Sequence, residues 1–270
     1  MTTTTTADTP IKGSFRGVSD LPLVARQVYF EQLSFWLNPI GAAITIGFSV
    51  VFIVIFMSTS GHSTVSYLKH INLGQYYLPA FVAYGVMAAC FNILAIGLVN
   101  RREMGLLKRL RLSPLPTWML LAAIFLNSMV IAVIQIVLVL LVGRFGYSVH
   151  GPHEVALFIL VILVGMFSFT ALGVGVSTIV PNADAAGPIV SLVFFILIAL
   201  SGLYFPVNSG SGLATFTDFF PIRHFILACV DTFNDVPGSS PRNDILVMLL
   251  WVAAGVWVSL RRWDWSPKRG

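Results

Sequence analysis

The sequence predicts an all-α integral membrane protein with six transmembrane helices. An interfacial amphipathic helix precedes the first span, a short cytoplasmic helix joins spans two and three, and an outer re-entrant segment joins spans five and six. Three observations carry that prediction. Of 270 residues, 57% are hydrophobic and only 10% charged, where a soluble domain carries roughly 25% charged residues. A water-soluble fold of this length cannot hide so much apolar side chain, so lipid is the solvent. The apolar residues fall into six runs of near-spanning length, the last of them Ile245 to Leu260, that contain no Asp, Glu, Lys, Arg or His. Lys and Arg between those runs fall mainly on one side, the pattern that sets membrane orientation.

Residues 1–20 open with MTTTTTADTP, polar and low in complexity. They are expected to form a disordered cytoplasmic tail rather than a cleaved signal, because no charged stretch runs directly into an apolar core. Leu21 to Leu37 (LPLVARQVYFEQLSFWL) mixes Leu, Val, Phe and Trp with Arg26, Gln27, Glu31 and Gln32. It is too polar to cross and suits a helix in the membrane interface, with Trp36 near the headgroups. The plainer alternative is an ordinary helix packed on the bundle. The six spans are read at about 39–57, 78–99, 118–142, 155–180, 188–205 and 244–260, each near the ~20 residues that a helix needs to cross. Between the last two, Leu213 to Val230 is apolar but carries Asp218, Arg223 and His224 and is broken by Pro221. It is read as dipping into the outer leaflet and returning, which buried backbone permits; a surface loop is the alternative. Residues 266–270 form a second cytoplasmic tail.

With the N-terminus inside, cytoplasmic segments hold Lys12, Arg16, Arg26, Arg101, Arg102, Lys108, Arg109, Arg111, Arg261, Arg262, Lys268 and Arg269. The outer segments hold Lys69, Arg144, Arg223 and Arg242. Both termini are therefore predicted to be cytoplasmic. All five histidines, His62, His70, His150, His153 and His224, fall outside and are read as solvated loop residues. The net charge of +5 is explained by topology, not by nucleic acid. Cys90 and Cys229 lie in or near separate apolar stretches and suggest no disulfide framework.

The motifs that are missing narrow the function. No G-x-x-x-x-G-K-[ST] phosphate loop, H-E-x-x-H, C-x-x-C or G-x-S-x-G occurs. The spans lack the ionisable residues that mark proton and ion relays, so energy for any transport must come from elsewhere. They carry mild polarity instead. Asn92, Asn127, Gln135, Ser168 and Thr170 are candidates for a translocation path, and helix–helix hydrogen bonding explains any one of them equally well. Gly165, Gly173 and Gly175 allow close backbone approach, within the chain or to a second copy.

The stretch NRREMGLLKRLRLSPLP, Asn100 to Pro116, interleaves Arg101, Arg102, Lys108, Arg109 and Arg111 with Met104, Leu106, Leu107, Leu110 and Leu112. Pro114 and Pro116 end it, and Glu103 lies toward its N-terminal end, where a helix dipole favours an acid. A positive-inside anchor needs only the charges. A docking helix needs the regular Leu and Met positions as well.

That stretch resembles the membrane subunit of ABC exporters of the type-2 permease family. The family's R-E-x-G-x-L-x-x-L-x-x-x-P arrangement stands here as Arg102, Glu103, Gly105, Leu107, Leu110 and Pro114. Leu106 departs from the small polar residue that many members place after the Gly. An S-G-x-x-F-P turn closes the fifth span as Ser201, Gly202, Phe205 and Pro206, and a further proline, Pro221, follows. The resemblance covers about residues 20–265 and implies a single permease domain, 21–265, in a plasma (inner) membrane. It implies no cofactor in this chain, with ATP and Mg bound by a separate ABC ATPase subunit, and a second permease chain as homodimer or heterodimer. Arg101 to Leu112 would be the coupling helix, with Arg101, Arg102, Glu103, Gly105, Leu106, Leu107, Lys108 and Leu110 at the ATPase. Glu103 would make the central polar contact, with Arg102 and Lys108 as rim charges. Ser201, Gly202, Phe205, Pro206 and Pro221 would shape the outer exit. The chain would be a transporter subunit rather than an enzyme, moving an amphipathic or apolar cargo such as a drug, lipid or glycolipid. A non-transporting scaffold or sensor with a basic docking helix is the alternative from another class. A membrane-embedded lipid-modifying enzyme is disfavoured by the uncharged spans, although His150, His153 and Glu154 lie together.

Overall fold

The computed structural model describes residues 21–60, 64–65, 71–104, 117–201, 217–234 and 241–262. The elements are α1 (Leu21–Trp36), α2 (Pro39–Ser60), α3 (Leu73–Glu103), α4 (Thr117–Leu141), α5 (Val155–Ile179), α6 (Ala183–Leu200), α7 (Pro221–Asn234) and α8 (Pro241–Arg262). Apart from short connections, the described residues are helical but for an antiparallel pair of two-residue strands, Thr64–Val65 and Ile71–Asn72. The helices α2, α3, α4, α5, α6 and α8 are each long and apolar enough to cross a membrane. The all-α, six-span class is thus what the chain adopts.

The bundle is built around α3, which touches α2, α4, α5, α6 and α7. Its side chains Phe81, Met87 and Phe91 are completely buried. By contrast α2, α6 and α8 keep apolar outer faces, including Ile40, Ile44, Leu192, Phe195, Leu246 and Leu250. In lipid such faces carry no hydration cost, so the bundle can leave them bare.

Close crossings are set by small residues. The three glycines of α5 each admit a different neighbour. A Cβ at Gly165 would stand 2.3 Å from the Phe225 ring of α7, and one at Gly173 would stand 3.1 Å from the Phe91 carbonyl of α3. Gly175 lies against Gly255 and Val258 of α8. All three therefore serve packing inside this chain.

The Gly173 crossing falls on a π-helical stretch, Ala88–Ile93, within α3. A second π turn, Val142–Gly146, ends α4. Such bulges concentrate where helices are interrupted for packing or function, and periodicity in the sequence gives no sign of them.

Prolines shape two further contacts. Pro79 lies inside α3 and has no N–H to offer the Gln75 carbonyl one turn earlier. The Asn234 side chain of α7 donates to that carbonyl at 3.0 Å. Pro188 lies inside α6 rather than at its start, because the helix begins five residues earlier at Ala183, where the Asn182 side chain accepts from the Ala185 amide at 2.9 Å.

The helix α7 runs beside the first half of α5. Phe225 meets Phe169 at 5.5 Å between ring centroids, and the Thr232 carbonyl accepts from the Glu154 amide at 3.2 Å. One histidine departs from the solvated-loop reading. His224 is mostly buried, with Nδ1 2.6 Å from the Asp244 carboxylate of α8 and Nε2 2.6 Å from the Asp218 carbonyl. Its neighbour Arg223 is buried and pairs with Asp218 at 2.8 Å. The reason is local: α7 folds back against α5 and α8, so polar residues at its start need partners in the protein. His150 and His153 are exposed.

Candidate functional site

The residues Arg101, Arg102 and Glu103 close the last turn of α3. Each is used, and each reaches a different element. Arg101 donates to the Glu31 carboxylate of α1. Beside it, the Gln32 amide donates at 2.9 Å to the Asn127 side chain of α4. The first helix is therefore anchored to the bundle through polar groups, while Tyr29, Phe30, Leu33 and Trp36 remain exposed.

Arg102 is 5% exposed. It donates to the carbonyls of Ser177 at 3.0 Å, Val180 at 2.5 Å and Pro181 at 3.4 Å. The sequence explains why those carbonyls are free. Ser177 would ordinarily bond the N–H four residues later, but residue 181 is proline and has none. The last turn of α5 thus ends on unsatisfied oxygens and the negative end of a helix dipole, and a guanidinium answers both.

Glu103 does the reverse. Its carboxylate accepts from the Ala183 amide, the first N–H of α6. Acids are favoured at that end of a helix. Adjacent residues of opposite charge, Arg102 and Glu103, therefore cap the two helices that meet at the elbow Val180–Asn182. The expected rim position of Arg102 is not what the fold gives: the side chain is committed inward by the carbonyl that Pro181 leaves free. Glu103 remains exposed, with Met104 beyond it 67% exposed. The rest of the docking stretch, Gly105, Leu106, Leu107, Lys108 and Leu110, lies outside the described residues.

The polar span residues do not converge on one cavity. Asn127 faces α1. Gln135 is buried and donates to the Thr45 carbonyl of α2 at 2.9 Å, with its side chain also against Gly85 of α3. Thr170 lies beside Cys90 of α3, and Ser168 is fully buried. Asn92 sits half-buried in the π stretch of α3. At least Asn127 and Gln135 thus hold helices together. A cleft of about 280 Å³ does open between α1, α2, α3 and α4, lined in part by Glu31, Asn38, Thr45, Arg101, Asn127 and Ser128. At the other end, Ser201 is buried and donates to the Ile198 carbonyl at 2.6 Å. Pro221 opens α7 and is buried; Gly202, Phe205 and Pro206 lie outside the described residues. The Glu31 and Gln32 anchors and the Pro181-Asn182 elbow were not singled out from the sequence. A proline next to a helix-capping Asn between two apolar runs was the available signal for the elbow.

Comparison with known proteins fits this arrangement. YbhR of Escherichia coli, named a probable multidrug ABC transporter permease, is 26% identical over 160 residues, covering 59% of this chain and 44% of YbhR. YvfS of Bacillus subtilis, a transport permease by name, is 32% identical over 128 residues, covering 47% of this chain and 51% of YvfS. The matched region thus spans about half the length of these curated relatives. The profile described as ABC-2 family transporter protein matches residues 62–261, which take in α3 through α8 and the Arg101–Glu103 node. With most of its length matched and six helices fit to span a membrane, the chain belongs to the ABC-2 family of transporter proteins.

Proposed function

We propose that the chain is the membrane-spanning subunit of an ATP-driven exporter, working with a separate ABC ATPase and a second permease chain. The reading rests on one observation above the rest. Arg101, Arg102 and Glu103 tie α1, α3 and the α5–α6 elbow into one node, directly before residues 105–116. A push on that following segment reaches three parts of the bundle at once, which is what a coupling helix has to do. Conformational energy passes through contiguous packed and hydrogen-bonded elements, and this node is such an element.

The chain holds no phosphate-loop motif, so ATP and Mg belong to the partner. ATP binding would draw the coupling segments of two permease chains together and open the path at the far end. The uncharged spans suit an amphipathic or apolar cargo, in line with the multidrug ABC transporter name of YbhR. The most direct test reconstitutes the chain in lipid nanodiscs with a candidate ABC ATPase subunit. Stable association and hydrolysis that falls on Glu103→Lys and on Leu107→Pro are expected. An ATPase that neither binds nor responds to either change would leave the basic stretch a topology anchor and move the scaffold reading into first place.

A further inference from the structure

We propose that a groove at the end of the bundle opposite the Arg101–Glu103 node is a binding site for an anionic phospholipid. The groove holds about 770 Å³. One wall is a stripe of α4 and its continuation: Val137, Leu140, Leu141 and Arg144, spaced three and four residues apart on one helix face. Val137 is 49% and Leu141 45% exposed, so the stripe is open to an incoming chain. The opposite wall is the buried side of Leu78, Val149 and Phe233, with the loop His150–His153 at the mouth.

The chemistry changes along the groove. Its floor is hydrocarbon for about 10 Å, seven residues of helix rise. Its mouth is cationic or neutral, with Arg144, His150 and His153, and no carboxylate among the described residues lines it. Arg144 has no ion-pair partner among the described residues. The Gln75 amide lies 3.1 Å from His150 Nδ1 and donates to it when that nitrogen is the acceptor. In that tautomer the N–H sits on Nε2 and is free to donate to a ligand. Arg144 ends the membrane-crossing stretch of α4, which closes at Gly146, so its guanidinium stands at headgroup depth. An acyl chain on the apolar floor with a phosphate at the mouth satisfies both halves at once. A free phosphate meets only the mouth, and a neutral zwitterionic lipid adds a choline that the cationic mouth repels.

The test uses native mass spectrometry of the full chain released from micelles containing equal amounts of phosphatidylglycerol and phosphatidylcholine. The wild type should retain phosphatidylglycerol preferentially. Arg144→Gln should lower that retention about fivefold, the factor for the attraction of one Lys or Arg to an anionic membrane surface. Leu141→Trp, which fills the groove without changing charge, should lower it too. Excess inorganic phosphate should not displace the lipid, and Arg261→Gln at the other end should leave retention unchanged. Equal retention of the two lipids by the wild type overturns the proposal. So does a Leu141→Trp chain that keeps its preference, since the headgroup charge would then act without a groove.

Discussion

Arg102→Met keeps most of the side-chain stem and removes the guanidinium. Two carbonyls at 3.0 Å or closer, those of Ser177 and Val180, then lose their donor. Each bond to a charged donor contributes about 1.5–3 kcal/mol, and the cation also sits at the negative end of α5, where up to ~2 kcal/mol is available in partly buried geometry. Against this stands the desolvation of a buried charge, which Met avoids and which amounts to several kcal/mol. With the Ser177 oxygen left buried and without its usual backbone donor, the net loss comes to about 2 kcal/mol. For a chain of this size that lowers Tm by about 4–8 °C. Arg102→Lys keeps the charge but has one ammonium for a site shaped to a planar fork, so about half that loss is expected. The assay is thermal unfolding in detergent together with amide exchange across Val180–Ala185, where the elbow amides should exchange faster in the Met variant. An Arg102→Met chain that melts with the wild type and exchanges no faster would refute the reasoning. It would mean that burial of the charge already cancels its bonds and that the elbow is held by packing alone.

Further predictions concern the bundle and its far end. A Cβ at Gly255 would lie 2.7–2.8 Å from the backbone of Ala171, so Gly255→Ala must part α5 and α8 and should cost about 1–3 kcal/mol in thermal stability. Gly187 has nothing within 4 Å of its Cβ position, so Gly187→Ala should be neutral or stabilising; equal losses at both sites would show that the crossing is not tight. The Asp244 hydrogen bond raises the His224 pKa above its ordinary 6.5 against the opposing effect of burial. Two acceptors face its two ring nitrogens, and only the doubly protonated ring donates to both. Because the folded pKa is raised, the stabilisation is complete below 6.5 and is lost as pH rises through the folded value. Melting curves should therefore fall across that window in the wild type and less so in His224→Gln; identical slopes would place the pH response elsewhere.

Hydrophobicity and charge placement by themselves determine the class of this protein. Long uncharged apolar runs have one stable solvent, and a helix is the way for a single segment to satisfy its own backbone there. Those constraints act locally, so they are legible in sequence. The polar character of Glu31, Gln32, Arg101, Arg102 and Glu103 was legible too, but not their partners. The family resemblance implied a rim position for Arg102, whereas a carbonyl freed by Pro181, nearly eighty positions away in the chain, drew it inside. Likewise His224 read as a loop residue until the packing of α7 against α8 brought Asp244 to it. Which helix each glycine of α5 admits, and where α3 bulges to meet Gly173, depend on contacts between segments that sequence order does not encode. Solvent preference and helical spans are properties of a segment and its composition. Hydrogen-bond partners, buried charges and helix crossings are properties of pairs of segments, and only the tertiary fold decides which pairs meet.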